Sequence, residues 1–107
     1  MTKTSKELAE MRRALAPEAE ASFRAFSEAV FREGALSKKT KQLIAVAVAH
    51  VTQCQYCIRG HTKAAVREGA TRQEVMEAIW VAAEMRAGGA FAHSRHALET
   101  LDESNDA

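Results

Sequence analysis

Two cysteines stand three residues apart near the middle of a 107-residue chain, in the stretch His50-Val51-Thr52-Gln53-Cys54-Gln55-Tyr56-Cys57-Ile58-Arg59-Gly60-His61. A thiolate, not a thiol, attacks peroxides and disulfides, and an ordinary cysteine with a pKa of about 8.5 is mostly protonated at neutral pH. A helix N-terminus or a neighbouring imidazolium lowers that value. A second cysteine nearby then resolves the sulfenic acid or mixed disulfide. His61, four residues past Cys57, lies one helical turn further on and can take or supply the proton. Positions 50, 54, 57 and 61 would span an arc of about 60° on an unbroken helix, so thiols and imidazoles could share a face.

Geometry qualifies that picture. Cβ atoms three apart in mid-helix are about 5–6 Å apart, wider than a disulfide's roughly 3.5–4.5 Å. Cys54 is therefore expected at or near a helix start, after a break around Thr52-Gln53. Zinc is a rival, since Cys-x2-Cys followed by His offers three acceptable ligands, with His93, His96 or another subunit supplying a fourth. His50 and His61, about 16 Å apart along one helix, cannot share a metal unless that helix breaks. The reading without chemistry makes both cysteines small buried hydrophobes. No metal and no cofactor is expected.

The elements that must hold these residues read as helices. The composition is 47% hydrophobic with few aromatics, one proline and five glycines, which suits close-packed helices better than short strands. Leu8, Met11 and Leu15 give an amphipathic helix over about residues 5–15. Pro17 suits the first turn of a second helix, whose Phe23, Phe26, Val30 and Phe31 are assigned to the core. Ser37 caps a helix over about residues 38–52. Its half Leu43–Ala49 is apolar on every side and so must be surrounded, by its own domain or by another subunit. A further helix runs from about Cys54 to Glu68 and stops at Gly69. Thr71-Arg72-Gln73-Glu74 forms a capping box, opening a helix with Val75, Ile79, Trp80 and Ala83 on its face. Gly88-Gly89 is expected to kink or interrupt it, leaving a sixth helix over about residues 91–101 and a frayed tail over 102–107.

The whole reads as a single domain, residues 1–107. Fifteen basic and fourteen acidic residues give a net charge of +1, no field that would draw nucleic acid. The apolar run at Leu43–Val51 is far short of the ~20 residues a membrane helix needs, and no secretory pattern opens the chain. A soluble cytoplasmic protein without nucleic-acid or membrane partners is expected. Lys38, Lys39 and Lys41 read as a solvated face, and Arg59 as a surface ion pair.

Leu36-Ser37-Lys38-Lys39-Thr40-Lys41, the apolar helix, Cys54-x2-Cys57-x3-His61, Ala64-Ala65 and Gly69-Ala70-Thr71 resemble the AhpD-like alkylhydroperoxidase branch of the carboxymuconolactone decarboxylase family. Ala82-Ala83, Arg86-Ala87-Gly88 and Phe91-Ala92-His93 resemble its C-terminal half, so the likeness covers about residues 20–98. The resemblance implies an all-α, AhpD-like bundle that assembles as homotrimers or homohexamers. It also implies peroxidase or disulfide-reductase chemistry, with Cys54 and Cys57 as the redox pair and His61 as the proton relay. The substrate would be a peroxide or disulfide, and the electron donor an external thiol or lipoyl group. Cys57 is taken as the attacking thiol. Where the family commonly has a relay glutamate, this chain has Gln42, which hydrogen-bonds but does not titrate. Where peroxidase-active members place a histidine, it has Tyr56. His50 is a candidate for the missing titratable group, its bland alternative being a hydrogen-bonded core histidine, and His93 is a candidate for reaching the site. Two other functions stand beside this one. A decarboxylase would not use the cysteine pair, and a non-catalytic redox-sensing oligomer would not need the glutamate.

Overall fold

The computed structural model describes residues 2–106, with side chains described through Ser104. Five helices follow one another: α1 (Ser5–Leu15), α2 (Pro17–Phe31), α3 (Lys38–Thr52), α4 (Gln55–Arg67) and α5 (Arg72–Asp106). No strand occurs among the described residues, and the fold is all-α. They form two compact units that divide between Ala35 and Leu36.

The first unit is the pair α1 and α2. Thr4 caps α1, its hydroxyl accepting from the Glu7 N–H across 3.1 Å. Ala16 closes α1, and Pro17 opens α2, where its missing N–H leaves nothing unsatisfied. Neither helix contains a buried residue. The aromatic stripe assigned to the core is therefore corrected: Phe23 is 70% and Phe26 65% exposed. Their rings lie 6.5 Å apart on one face of α2. Periodicity identified an apolar face; within its unit α2 has one neighbour, which cannot cover it.

The second unit holds α3, α4 and α5. Ser37 caps α3 through the Thr40 N–H at 3.1 Å. Val46 and Ala65 are fully buried and Ala70 nearly so, with Leu43, Val75 and Ile79 packed around them. At one end Lys39 pairs with Glu74 at 2.9 Å, joining the starts of α3 and α5. Near the other, the Arg86 guanidinium donates to the Val51 carbonyl at 3.4 Å. Lys39 thus has a specific partner, not the merely solvated position expected for it. Along the outer side of α3, Ile44, Val48 and Val51 remain exposed, an i, i+4, i+7 stripe left bare in a single chain.

The expected interruption at Gly88-Gly89 is absent, and with it the sixth helix: α5 continues through both glycines for 35 residues, about 52 Å. Glycine costs about 1 kcal/mol relative to alanine in a helix but removes no donor and adds no clash, so the hydrogen-bond ladder survives. The tail expected to fray is also helical through Asp106, while Ala107 lies outside the described residues. Side chains reinforce this last stretch. Arg95 pairs with Glu99 at 2.7 Å, and the Thr100 and Ser104 hydroxyls donate to carbonyls one turn back, on His96 and Thr100. No helix among the described residues is long and apolar enough to cross a membrane.

Candidate redox site

The site is built at the corner between α3 and α4. Thr52 is the last residue of α3, and Gln53 takes left-handed backbone angles, φ 58° and ψ 44°. Among the described residues it is the one non-glycine with positive φ. Such a conformation costs an L-residue on the order of 1–2 kcal/mol. The turn sends the Cys54 N–H back to the Ala49 carbonyl at 3.1 Å and leaves Cys54 as the cap of α4. The sequence allowed a break here because Thr52 and Gln53 are indifferent helix formers; nothing in it demanded a left-handed glutamine.

At the head of α4 the Cys54 and Cys57 sulfurs are joined as a disulfide, their Cα atoms 5.2 Å apart. The Cys57 N–H also donates to Cys54 Sγ at 3.2 Å. Cys54 thus occupies the capping position that Ser or Asp usually fills, at the positive end of a helix dipole. Both cysteines are half-buried. Placing Cys54 before the first turn, not within a continuous helix, brings Sγ and Sγ together, as the geometry required.

His61 follows Cys57 by one turn on the same helix, so the two side chains are neighbours on one face of α4. Its Nδ1–H donates to Gln42 Oε1 at 2.7 Å, across nineteen residues of sequence. Gln42, His61 and both cysteines are half-buried. Gln42, at the position where the resemblance places a relay glutamate, is thereby in direct contact with His61.

The remaining candidates are placed differently. The break at Gln53 separates His50, on α3, from the other three members of the supposed arc, which only an unbroken helix would have aligned. His50 Nδ1–H donates to the Val46 carbonyl of its own helix at 2.7 Å. That is the bond of a histidine anchored in a helix. Tyr56 is exposed beside the pair, at 83%. His93 donates from Nδ1 to the Gly89 carbonyl at 2.7 Å, within α5, and its ring stands 5.5 Å from that of His96. Among the described residues no grouping of three or more His, Cys, Asp or Glu is suited to a metal ion.

These features define an all-helical protein with a Cys-x2-Cys pair at a helix head and a histidine one turn below. The chain belongs to the carboxymuconolactone decarboxylase family, whose sequence profile matches residues 17–100. It is 62% identical, over its whole length and 96% of the other protein, to a Paracoccus denitrificans protein named uncharacterized protein 4 in cox locus. It is similar to the crystal structure of an apo carboxymuconolactone decarboxylase family protein from Legionella pneumophila, with TM-score 0.72 and 37% identity over 92% of this chain and 88% of that one. A Thermotoga maritima family member, described as having a suggested part in antioxidative response, gives TM-score 0.61 and 33% identity over 82% of this chain and 91% of that one.

Proposed function

We propose that this protein is a thiol-dependent peroxidase and disulfide reductase, working in a reducing compartment such as the cytoplasm. The observation that carries the reading is the joined Cys54–Cys57 pair at the head of α4, with His61 one turn beyond. The antioxidative role suggested for the Thermotoga relative points the same way.

In the dithiol state His61 takes the proton of Cys57, and the thiolate attacks the terminal oxygen of an organic hydroperoxide. The O–O bond breaks, the alkoxide leaves as an alcohol with that proton, and Cys57 becomes a sulfenic acid. Cys54, whose thiolate the α4 N-terminus favours, attacks the Cys57 sulfur; the S–S bond forms, the S–O bond breaks, and hydroxide leaves as water with the proton that Cys54 gave up. A dithiol donor such as a dihydrolipoyl group then attacks Cys57. Cys54 departs as the stabilised thiolate, and the donor closes its own disulfide, restoring the dithiol. Two electrons pass from donor to peroxide in each cycle. With a disulfide in place of the peroxide, the same pair acts as a reductase.

The test is hydroperoxide consumption with a dithiol donor, for the native protein and for Cys54→Ser and Cys57→Ser. Both variants are expected to lose at least about 100-fold. Native-level turnover in either variant, or none in the native protein with any dithiol, would sink the proposal.

The working form is a homo-oligomer, a trimer or hexamer. The chain exposes 8794 Å², whereas even two separate globules of these unit sizes would expose about 7,000 Å². Phe23 and Phe26 of the first unit and Ile44, Val48 and Phe91 of the second are exposed on that surface. Sedimentation should give a multiple of the 11.7 kDa chain mass; a monomer at micromolar concentration would refute this.

A further inference from the structure

Gln42 on α3 places a carboxamide in hydrogen-bond contact with the His61 imidazole on α4. We infer that Gln42 is a positioning residue that selects the tautomer of His61, an inference resting on the thiol-redox reading above. The amide oxygen Oε1 accepts and cannot donate, and it stands 2.7 Å from Nδ1. In the neutral ring the proton therefore resides on Nδ1, and the lone pair that can receive a thiol proton is on Nε2.

A histidine side chain in water prefers the opposite tautomer, so the bond inverts an intrinsic preference. It also fixes the ring's rotation. Gln42 comes from α3 and His61 from α4, so the imidazole is tied between two packed helices rather than left to swing on its own. Half-burial of both side chains protects the bond from exchange with water.

The same geometry has a chemical consequence that a carboxylate would not. Gln42 orients the ring but carries no charge to stabilise the imidazolium, and it accepts no proton from Nδ1 at ordinary pH. The proton received at Nε2 leaves from Nε2, to the alcohol or to solvent. Gln42 thus performs the orienting half of a carboxylate's role and omits the electrostatic half. In a hydrolase triad, a change that keeps the geometry but leaves the histidine in the wrong tautomer, with the carboxylate charge also gone, lowers kcat by about 10⁴-fold.

The test uses the full-length protein reduced to the dithiol and labelled with 15N in its imidazoles. In the neutral native ring, Nδ1 of His61 should carry the proton and Nε2 should give the signal of an unprotonated ring nitrogen. Gln42→Leu should shift the ring mainly to the Nε2–H form and lower kcat/KM for hydroperoxide about 10- to 100-fold. Gln42→Glu, which keeps an acceptor, should restore the Nδ1–H form and recover turnover. A native His61 protonated at Nε2 overturns the inference, since the carboxamide would then present its NH2 to the ring. So does an unchanged tautomer in Gln42→Leu, or failure of Gln42→Glu to restore it. The tautomer is read without turnover, so a protein inactive toward every hydroperoxide would defeat the proposed function while the role of Gln42 was still decided.

Discussion

Two corners of the second unit make the same turn by different means. At α4 to α5 the chain leaves its helix through Gly69, φ 94°, where a Cβ would meet nothing within 4 Å. At α3 to α4 it leaves through Gln53, φ 58°, where a side chain tolerates what glycine would adopt freely. The Gly69 corner is followed by a full set of local hydrogen bonds: Thr71 N–H to the Glu74 carboxylate at 2.9 Å and Glu74 N–H to the Thr71 hydroxyl at 3.1 Å. The Gln53 corner is followed by a sulfur cap that either closes on its neighbour or stands open as a thiol. Structure uses the inexpensive turn; chemistry sits beside the strained one.

Substitutions can break this contrast. Gly69→Ala should have the largest effect on stability, lowering it by about 1–2 kcal/mol through backbone strain alone, since no atom crowds the new methyl. That corresponds to a thermal midpoint roughly 4–16 °C lower for a domain of this size, with specific thiol turnover unchanged. A midpoint within 1 °C of native would mean that the corner relaxes to negative φ. The reciprocal change, Gln53→Gly, should raise stability by a few tenths to about 1 kcal/mol in denaturant titration, because relief of strain is partly offset by the entropy of the unfolded glycine. A loss of stability would show that the Gln53 side chain compensates its backbone.

The smallest expected effect sharpens the other corner. The Glu74 carboxyl titrates below its ordinary value, chiefly through the Thr71 N–H and then through Lys39. A lowered folded value contributes stability above the ordinary carboxylate range, and that contribution is lost as the pH falls through the folded value. Glu74→Gln should therefore narrow the difference in thermal midpoint between pH 7 and pH 3. The shift is small because the group faces solvent, and an unchanged difference would remove Glu74 from the acid response.

How much of this was legible follows the range of each interaction. Ser37, Pro17 and the Thr71–Glu74 box announced their helix ends because a cap bonds within three residues and its partners are adjacent in sequence. Cys54 at a helix head could be derived from the reach of a disulfide. The continuity of α5 could not, because two glycines weaken a helix without forbidding it, and the outcome depends on the remaining thirty-three residues. Phe23 and Phe26 were recognisable as an apolar face, but a periodic pattern does not say which molecule covers it. The bond between Gln42 and His61 spans nineteen residues, and no spacing rule reaches that far; the family resemblance marked Gln42 as a departure without showing what it touches.

From Ala83 to Ser104 every residue of α5 except Gly88 faces solvent in a single chain. A stretch of this length with two glycines is marginal as a free helix in water. Under the self-association proposed above, its order would follow the protein's abundance: scarce chains would carry a loose end exposed to proteases, and crowded ones would sheathe it in each other. Synthesis level, as much as sequence, would set how long each copy survives.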